Sequence, residues 1–363
     1  MAGSQFLHES RAQRVHFARS GAADVLRSEI GRLGASRAMV ISGSSRSESV
    51  DRMTKGLPVV LKYDDIAMHV PLPVAERARV AALQCEADVI VSIGGGSTTG
   101  LAKAIALATG TPIVAVPTTY AGSEATAVWG ITEEGRKTTG IDIRVLPTSI
   151  VYDSTLTLTL AVSDSVASGF NALAHCVDSM WGPRTDPIDR MYAAEGIRAL
   201  SRSIIAVAAD GADLDARDCA FYGTYLSAVA FSSAGSGLHH KICHILGGAF
   251  DLPHAQTHTV VLPYVLAYNA PAAPVGERQM AAAFGSDSAL SGLEEVRRAV
   301  DAPRALRNYG VTEADIDAVI PHILDHAPAD NPRPVTFRSI QKLLYAAVNG
   351  DDPANSTDES DVE

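Results

Sequence analysis

Residues 87–107, ADVIVSIGGGSTTGLAKAIAL, decide the fold of the first half of the chain. The run ADVIVSI is rich in β-branched apolar residues, which predicts a buried strand. Three glycines follow, and TTGLAKAIAL then consists mainly of residues that favour a helix. A strand, a glycine turn and a helix in this order predict one βα unit of a parallel sheet.

Strands and helices continue to alternate on both sides of this segment. Short apolar runs predict further buried strands in SRAMVISG, LPVVLKY, TPIVAVPTT and TSIVYD, and VAERARVAALQCE predicts a helix. From Ser163 onward the strand pattern stops, and apolar spacings of three and four predict helices. We therefore expect an α/β domain over residues 1–158 and an all-helical domain over residues 159–350. The acidic segment 351–363 is predicted to be disordered.

Composition and charge exclude several classes of protein. The chain has 363 residues, 47% hydrophobic content and a formal net charge of −11. Nothing in this charge balance offsets the repulsion of nucleic-acid phosphates. No apolar run approaches the ~20 residues of a transmembrane helix. The N-terminus lacks the apolar core of a signal peptide. The four cysteines form no CxxC pair. We expect a cytoplasmic protein that binds neither nucleic acid nor membrane.

The glycine turn predicts a phosphate-binding site. Gly94, Gly95 and Gly96 let the backbone approach a ligand closely, and Ser97 and Thr98 then lie at a helix start, where N–H groups and the helix dipole favour a pyrophosphate. The next strand leads into a second polar turn, whose hydroxyls lie where parallel-sheet proteins bind ligands; these belong to Thr118, Thr119, Ser123 and Thr126. Three glycines alone are also compatible with a plain tight turn.

A second cluster of candidate residues lies in residues 235–263, GSGLHHKICHILGGAFDLPHAQTHTVVLP. His240 and His244 stand four apart, so they share one helix face, and Asn171 and His175 repeat that spacing. We expect His175, His240, His244 and His254 to form a site, and His239 and His258 to have structural roles. Three histidines and a carboxylate suit a divalent metal, but Asn171 is an amide.

Long strings of the sequence resemble one family. Five segments resemble the maleylacetate reductases of the iron-containing (group III) alcohol dehydrogenase superfamily. They are GGGSTTGLAKAIAL (94–107), VPTTYAGSEATAVWGITEEGRKTTG (116–140), RVLPTSIVYD (144–153), SGFNALAHCVD (168–178) and NPRPVT (331–336). The resemblance implies a dinucleotide-binding α/β domain followed by an all-α domain, the dehydroquinate-synthase-like fold. It also implies reduction of the carbon–carbon double bond of maleylacetate, a small dicarboxylate, to 3-oxoadipate in the degradation of aromatic compounds. We further expect a homodimer.

The same resemblance implies roles for individual residues. The metal ligands of the superfamily, one Asp and three His, match Asn171, His175, His240 and His254, and its proton-relay histidine matches His244. Gly43, Lys103 and Lys137 are expected to serve the cofactor together with both polar turns. Gly100 replaces the Asp often found in the superfamily's GGGSxxD turn.

We expect no bound metal. Asn171 brings no charge to the ligand set, and hydride addition to an alkene conjugated with a ketone spreads the developing charge over an enolate, which hydrogen-bond donors can stabilise. A metal-dependent dehydrogenase of alcohols or polyols, and a catalytically idle nucleotide-binding protein, are the alternatives.

The cofactor is expected to be NADH or NADPH without strong preference. After the strand SRAMVIS comes the run Gly43-Ser44-Ser45-Arg46, which contains no carboxylate to bind a ribose 2′-hydroxyl and repel a 2′-phosphate. Arg46 could pair with that phosphate.

Overall fold

The computed structural model describes residues 5–44, 47–133 and 136–356, which form two compact units. The α/β unit comprises residues 11–161 and 212–221, and the helical unit comprises the remaining described residues. The main division at Ala161 lies a few residues from the expected one. Two short segments belong to the unit opposite to the expected one. Residues 5–10 join the helical unit, where the His8 ring bonds Asp186, and residues 212–221 join the α/β unit, where Phe221 packs on Tyr152.

The α/β unit is built on a six-stranded, fully parallel sheet, as the sequence predicted. Its strands are β1 (Arg14–Phe17), β2 (Ala38–Ser42), β3 (Val59–Tyr63), β4 (Val89–Gly94), β5 (Ile113–Pro117) and β8 (Ser149–Tyr152), in the order β1-β8-β5-β4-β2-β3. The helices of this unit are α1 (Ala22–Leu33), α2 (Ser47–Thr54), α3 (Leu72–Gln84) and α4 (Gly96–Thr109). Because β4 and β5 are neighbours, the turns after them lie at the same edge of the sheet.

Two features of this unit were not predicted. β1 is an edge strand, and its sequence RVHF lacks the continuous apolar run of the central strands. β6 (Val128–Glu133) and β7 (Arg136–Ile141) pair antiparallel with each other as a separate hairpin. Their sequences, VWGITE and RKTTGI, mix apolar and polar residues and contain no continuous apolar run.

The helical unit confirms the prediction of an all-α second half. Its helices are α5 (Val162–Ser179), α6 (Pro187–Ala209), the later part of α7 (Leu214–Ala234), α8 (Leu238–Phe250), α9 (His254–Asn269), α10 (Pro274–Phe284), α11 (Ala289–Ala299), α12 (Glu313–His326) and α13 (Phe337–Asn349). Residues 165–179 of α5 are all buried, so this helix runs through the core. α9 shares one apolar core with α5 and α6, and a second with α8, α12 and α13. No described helix is long and apolar enough to span a membrane.

The expected disorder of residues 351–363 is wrong for the first six of them. Pro353–Ser356 form a short 3-10 helix in which Pro353 and Ser356 are buried. The hydroxyl of Tyr264 on α9 donates to the carbonyl of Asp351 at 2.8 Å, which fixes the chain before this turn. The acidic composition predicted disorder because it does not show that residues 353–356 pack against α9 and α13. Residues 357–363 lie outside the described residues.

Candidate active site

The glycine turn at the start of α4 is shaped by close packing. A Cβ at Gly94 would lie 2.3 Å from the Oγ1 atom of Thr98, and one at Gly95 would lie 3.0 Å from the Cγ2 atom of Thr119. None of the three glycines has a positive φ, so close approach, and not backbone conformation, requires glycine at positions 94 and 95, whereas a Cβ at Gly96 would meet only the Cβ of Ala121 at 3.7 Å. Gly96 and Ser97 retain exposed surface at the helix N-terminus, whereas Thr98 is buried. This cradle fits a phosphate group held by backbone N–H donors.

The loop after β5 lies directly beside the glycine turn. The backbone N–H of Thr118 donates to the carbonyl of Gly94 at 3.0 Å. Thr119 and Ser123 are partly exposed, while Thr118 and Thr126 are buried. The structure therefore brings the two predicted polar turns together, with Thr119 and Ser123 as the hydroxyls that solvent reaches.

Lys103 differs from the expectation of a cofactor contact. Its side chain is 1% exposed, and its ammonium group donates to the carbonyls of Ser123, Thr126 and Val128 at 2.6–2.8 Å and lies 3.0 Å from the hydroxyl of Thr126. An ammonium has three protons, so these acceptors use its donors completely. Burial lowers the pKa of Lys103 to about 7. Lys103 thus holds the loop and is not aimed at a ligand.

The remaining predicted cofactor residues lie in different surroundings. Gly43 directly follows β2, whose neighbour in the sheet is β4, so it lies at the same edge as the glycine turn. Lys137 lies on β7, and burial lowers its pKa. Ser45 and Arg46 lie outside the described residues.

The helical unit gathers the four predicted histidines into a chain of rings. α5 supplies His175, α8 supplies His240 and His244, and α9 begins with His254. The His175 and His240 rings stack with centroids 4.8 Å apart, His240 and His244 are 6.0 Å apart, and His244 and His254 stack at 5.9 Å. Asn171 lies one turn before His175 and is buried. His175 and His240 are buried, whereas His244 and His254 are half-buried.

His239 and His258 lie closer to these four histidine rings than expected. Both are fully buried, and Nε2 of His239 lies 2.8 Å from Nδ1 of His258. The centroid of the His258 ring lies 4.5 Å from that of His254 and 4.7 Å from that of His240. Their mutual hydrogen bond agrees with a structural role, but His258 lies within the cluster and not past it. The spacing of four between His254 and His258 was the signal that could have shown this.

Asp178 is a further member of the site that the sequence analysis did not select. One of its carboxylate oxygens lies 2.7 Å from Nδ1 of His240 and accepts the backbone N–H groups of Gly237 and His240, each at 3.1 Å. A Cβ at Gly237 would lie 2.5 Å from the other oxygen, so glycine makes room for this carboxylate. Asp178 is three residues after His175 on α5, which places the two on neighbouring positions of one helix face.

Burial favours the neutral forms of the four buried imidazoles of the cluster. It lowers the pKa of His239 and His240 to about 3, and it lowers those of His175 and His258 well below the usual range. For Asp178, burial raises the pKa while the N–H donors oppose that rise. A carboxylate only accepts hydrogen bonds, so its two backbone donors favour the ionised form of Asp178. An anionic ligand beside these neutral rings would favour their protonated forms.

Comparison with known proteins places the chain in one class. The family model "Iron-containing alcohol dehydrogenase" matches residues 12–154, and that for the C-terminal region of the Fe-containing alcohol dehydrogenase family matches residues 165–348. The chain belongs to the iron-containing alcohol dehydrogenase family.

Within this family the chain is similar to maleylacetate reductases. It is 44% identical to the maleylacetate reductase of Pseudomonas knackmussii over 96% of this chain and 99% of that relative. The crystal structure of maleylacetate reductase from Agrobacterium tumefaciens matches with a TM-score of 0.90 and 39% identity, covering 96% of this chain and 99% of that one. An iron-containing alcohol dehydrogenase from Corynebacterium glutamicum matches with a TM-score of 0.96 and 52% identity, covering 98% and 100%.

The family name implies iron, but the residues present do not fit a metal ion at the matched positions. Among the described residues, the ring nitrogens of the matched His175, His240 and His254 do not form a set within 4.8 Å of one another, whereas those of His239, His240 and His258 do. Two imidazole ligands of one tetrahedral zinc lie about 3.4 Å apart, given metal–nitrogen bonds of ~2.1 Å. The fourth matched residue, Asn171, offers a neutral amide oxygen in place of a carboxylate.

Proposed function

We propose that this oxidoreductase is a maleylacetate reductase, which uses NADH or NADPH to reduce the carbon–carbon double bond of maleylacetate and gives 3-oxoadipate. The observation that carries the proposal is the histidine cluster, four of whose rings are buried and uncharged, together with the amide Asn171 at the position that matches a metal-binding carboxylate. The similarity to maleylacetate reductases over nearly the whole chain supports the same function.

The cofactor is proposed to bind to the α/β unit. When bound, NADH or NADPH supplies the hydride. The glycine turn offers backbone N–H donors at the N-terminus of α4, and Thr119 and Ser123 offer partly exposed hydroxyls. Lys103 contributes indirectly, because it fixes the carbonyls of the loop that carries Ser123.

The histidine cluster is proposed to manage the enolate that hydride addition leaves on the substrate. A dicarboxylate beside these rings favours their protonated forms, so the His240 ring takes up a second proton when the substrate binds, and its Nε2–H group then donates to the enolate oxygen. The carbon atom then needs a proton. His244 suits this step because its half-buried ring can exchange protons with water, whereas His240 is 2% exposed.

No step of this proposal needs a metal ion. A localised alkoxide, as in alcohol oxidation, gains several kcal/mol from a metal ion. An enolate spreads its charge over oxygen and carbon, so imidazole donors can stabilise it. We therefore propose that the enzyme works without bound iron or zinc.

A metal-dependent alcohol or polyol dehydrogenase is the second candidate, because the 52% identical neighbour is called an iron-containing alcohol dehydrogenase. The two functions separate in one assay: loss of NADH absorbance with maleylacetate supports the reductase, and NAD reduction with simple alcohols supports the dehydrogenase. Cofactor binding without turnover of either substrate would indicate an idle nucleotide-binding protein. The expected cytoplasmic location and homodimer stay predictions.

A further inference from the structure

We propose that Asp178 is a positioning residue, which holds the His240 ring with its proton on Nδ1 and so presents Nε2 to the histidine cluster. The part of this proposal that concerns catalysis rests on the proposed function. The part that concerns the protonated nitrogen does not.

The aromatic neighbours of His240 fix its plane but not its protonation. The His240 ring is stacked on the His175 ring at an interplanar angle of 10°. The centroids of the Phe231 and His258 rings lie 4.4 and 4.7 Å from its centroid. Ring contacts of this kind accept an imidazole in either tautomer, because both tautomers have the same shape. A charged hydrogen-bond partner on one nitrogen is what selects between them.

Asp178 is that partner, and its own orientation is fixed independently. The oxygen that faces Nδ1 of His240 also accepts two backbone N–H groups from the first turn of α8. An oxygen held by two N–H donors is an acceptor for its third neighbour as well, so Nδ1 carries the proton. Nε2 is buried and has no hydrogen-bond partner among the described residues, which leaves its lone pair directed at the cluster.

The N-terminus of α8 is built to receive this carboxylate. Gly237, the N-cap residue, provides no capping side chain, and Asp178 of α5 supplies the missing acceptor. The N-terminal end of a helix stabilises a negative charge. Asp178 is fully buried, so this helix end, the His240 ring and the nearby His239 ring compensate its charge.

A purely structural helix cap would have the same contacts with the backbone, so the test must separate stability from catalysis. In Asp178→Asn the amide oxygen can keep all three hydrogen bonds while the negative charge is lost. In Asp178→Ala the hydrogen bonds are lost as well. Asp189→Asn is the matched control, because Asp189 is also a fully buried acid that interacts with the first turn of a helix, α6, and does not contact His240.

The first measurement is ¹⁵N NMR of the full-length protein labelled at histidine, with the His240 signals assigned by comparison with His240→Gln. The expected result at neutral pH is a neutral ring with the proton on Nδ1 in the wild type. A proton on Nε2 would overturn the proposal, whether or not the protein reduces maleylacetate.

The second measurement is steady-state kinetics with maleylacetate and NADH. We expect Asp178→Asn to lower kcat at least ~10-fold and Asp178→Ala at least ~10²-fold, with the Kd for NADH within a few-fold of wild type. Asp189→Asn should lower Tm but leave kcat within about twofold. If Asp178→Asn lowers Tm but leaves kcat unchanged, Asp178 acts only as a helix cap, which would contradict the proposal. An inactive wild type would refute the proposed function and leave the NMR result as the test of Asp178.

Discussion

The imidazoles of the cluster differ in how far water reaches them. His175, His239, His240 and His258 are buried, whereas His244 and His254 are half-buried and stack on each other. A proton that leaves the site in each turnover must be replaced from solvent, so the half-buried ring is suited to proton supply and the buried ring of His240 to holding the substrate oxygen. The spacing of four between His240 and His244 allowed the sequence to predict that these two rings face one side of a helix.

Replacing either ring should impair catalysis. We expect His244→Ala and His240→Ala each to lower kcat at least ~10² while the Kd for NADH stays within a few-fold, because the glycine turn is untouched. His239→Ala is the control, since His239 bonds His258 and is expected to act on structure; it should retain most activity. Steady-state kinetics and NADH titration check both. A nearly wild-type His244→Ala would refute its role in proton transfer.

Lys103 should act on cofactor affinity through the loop that it holds. Lys103→Met removes a buried donor group and leaves three backbone carbonyls without their ammonium partner, so the loop is expected to loosen. We expect the KM for NADH to rise about tenfold while kcat falls less than threefold, together with a loss of stability of about 2 kcal/mol. An unchanged KM for NADH would show that the loop does not serve the cofactor.

At the scale of elements, continuous apolar runs made the central strands predictable. β2, β4, β5 and β8 are covered on both faces, so every residue in them is buried and the sequence reads as an uninterrupted run. β1 and the hairpin of β6 and β7 are partly exposed and carry polar residues, so no such run marks them. The spacing of four between His254 and His258 indicated that the two rings share one face of α9, but which face of α9 meets α8 depends on tertiary packing, so the contact of His258 with His240 could not be predicted from the sequence.

A buried carboxylate joins three elements of the α/β unit. Glu29 of α1 accepts hydrogen bonds from Arg14 of β1, Ser149 of β8 and Arg32. Burial opposes the charged form, but these donors outweigh it and lower the pKa of Glu29 from 4.5 to about 2. The folded protein therefore binds this proton less readily than the unfolded chain does, and the stabilisation is complete above pH 4.5 and is lost as the pH falls towards 2.

Glu29→Gln should reveal this contribution. We expect it to lower the free energy of unfolding at pH 7 by about 2 kcal/mol, and the difference from wild type should shrink as the pH falls from 5 to 3. Urea denaturation at several pH values measures both. Asp24→Asn on the exposed side of α1 is the control, with little expected effect. A difference that does not change with pH would contradict the assignment of the depressed pKa to Glu29.

The end of β2 determines the expected cofactor choice. The run Gly43-Ser44-Ser45-Arg46 that follows β2 contains no acidic residue that would repel a 2′-phosphate. We therefore expect kcat/KM values for NADH and NADPH within about tenfold, which corresponds to ~1.4 kcal/mol. Kinetics with each cofactor under the same conditions measure the ratio. A thousandfold preference for either would contradict this account of β2.

The whole molecule combines a dinucleotide-binding fold with a helical unit whose family is named for iron. The histidine cluster differs from the superfamily's metal site mainly in its charge. Asn171 brings no negative charge, and the carboxylate of Asp178 is hydrogen-bonded to His240 and to the first turn of α8. The sequence was sufficient to predict the two units and the absence of a charged ligand at position 171. The engagement of Asp178 depends on how α5 and α8 pack, and only the structure reveals it.

We propose that this protein reduces maleylacetate with NADH or NADPH and without a metal. The decisive experiment is NADH oxidation by the purified protein with maleylacetate, in the presence and absence of a strong chelator, after metal analysis of the same sample. We expect turnover that survives the chelator, with well below one divalent ion per chain, and greater metal uptake in the matched variant Asn171→Asp. Absence of turnover, or stoichiometric iron or zinc whose removal abolishes activity, would contradict it.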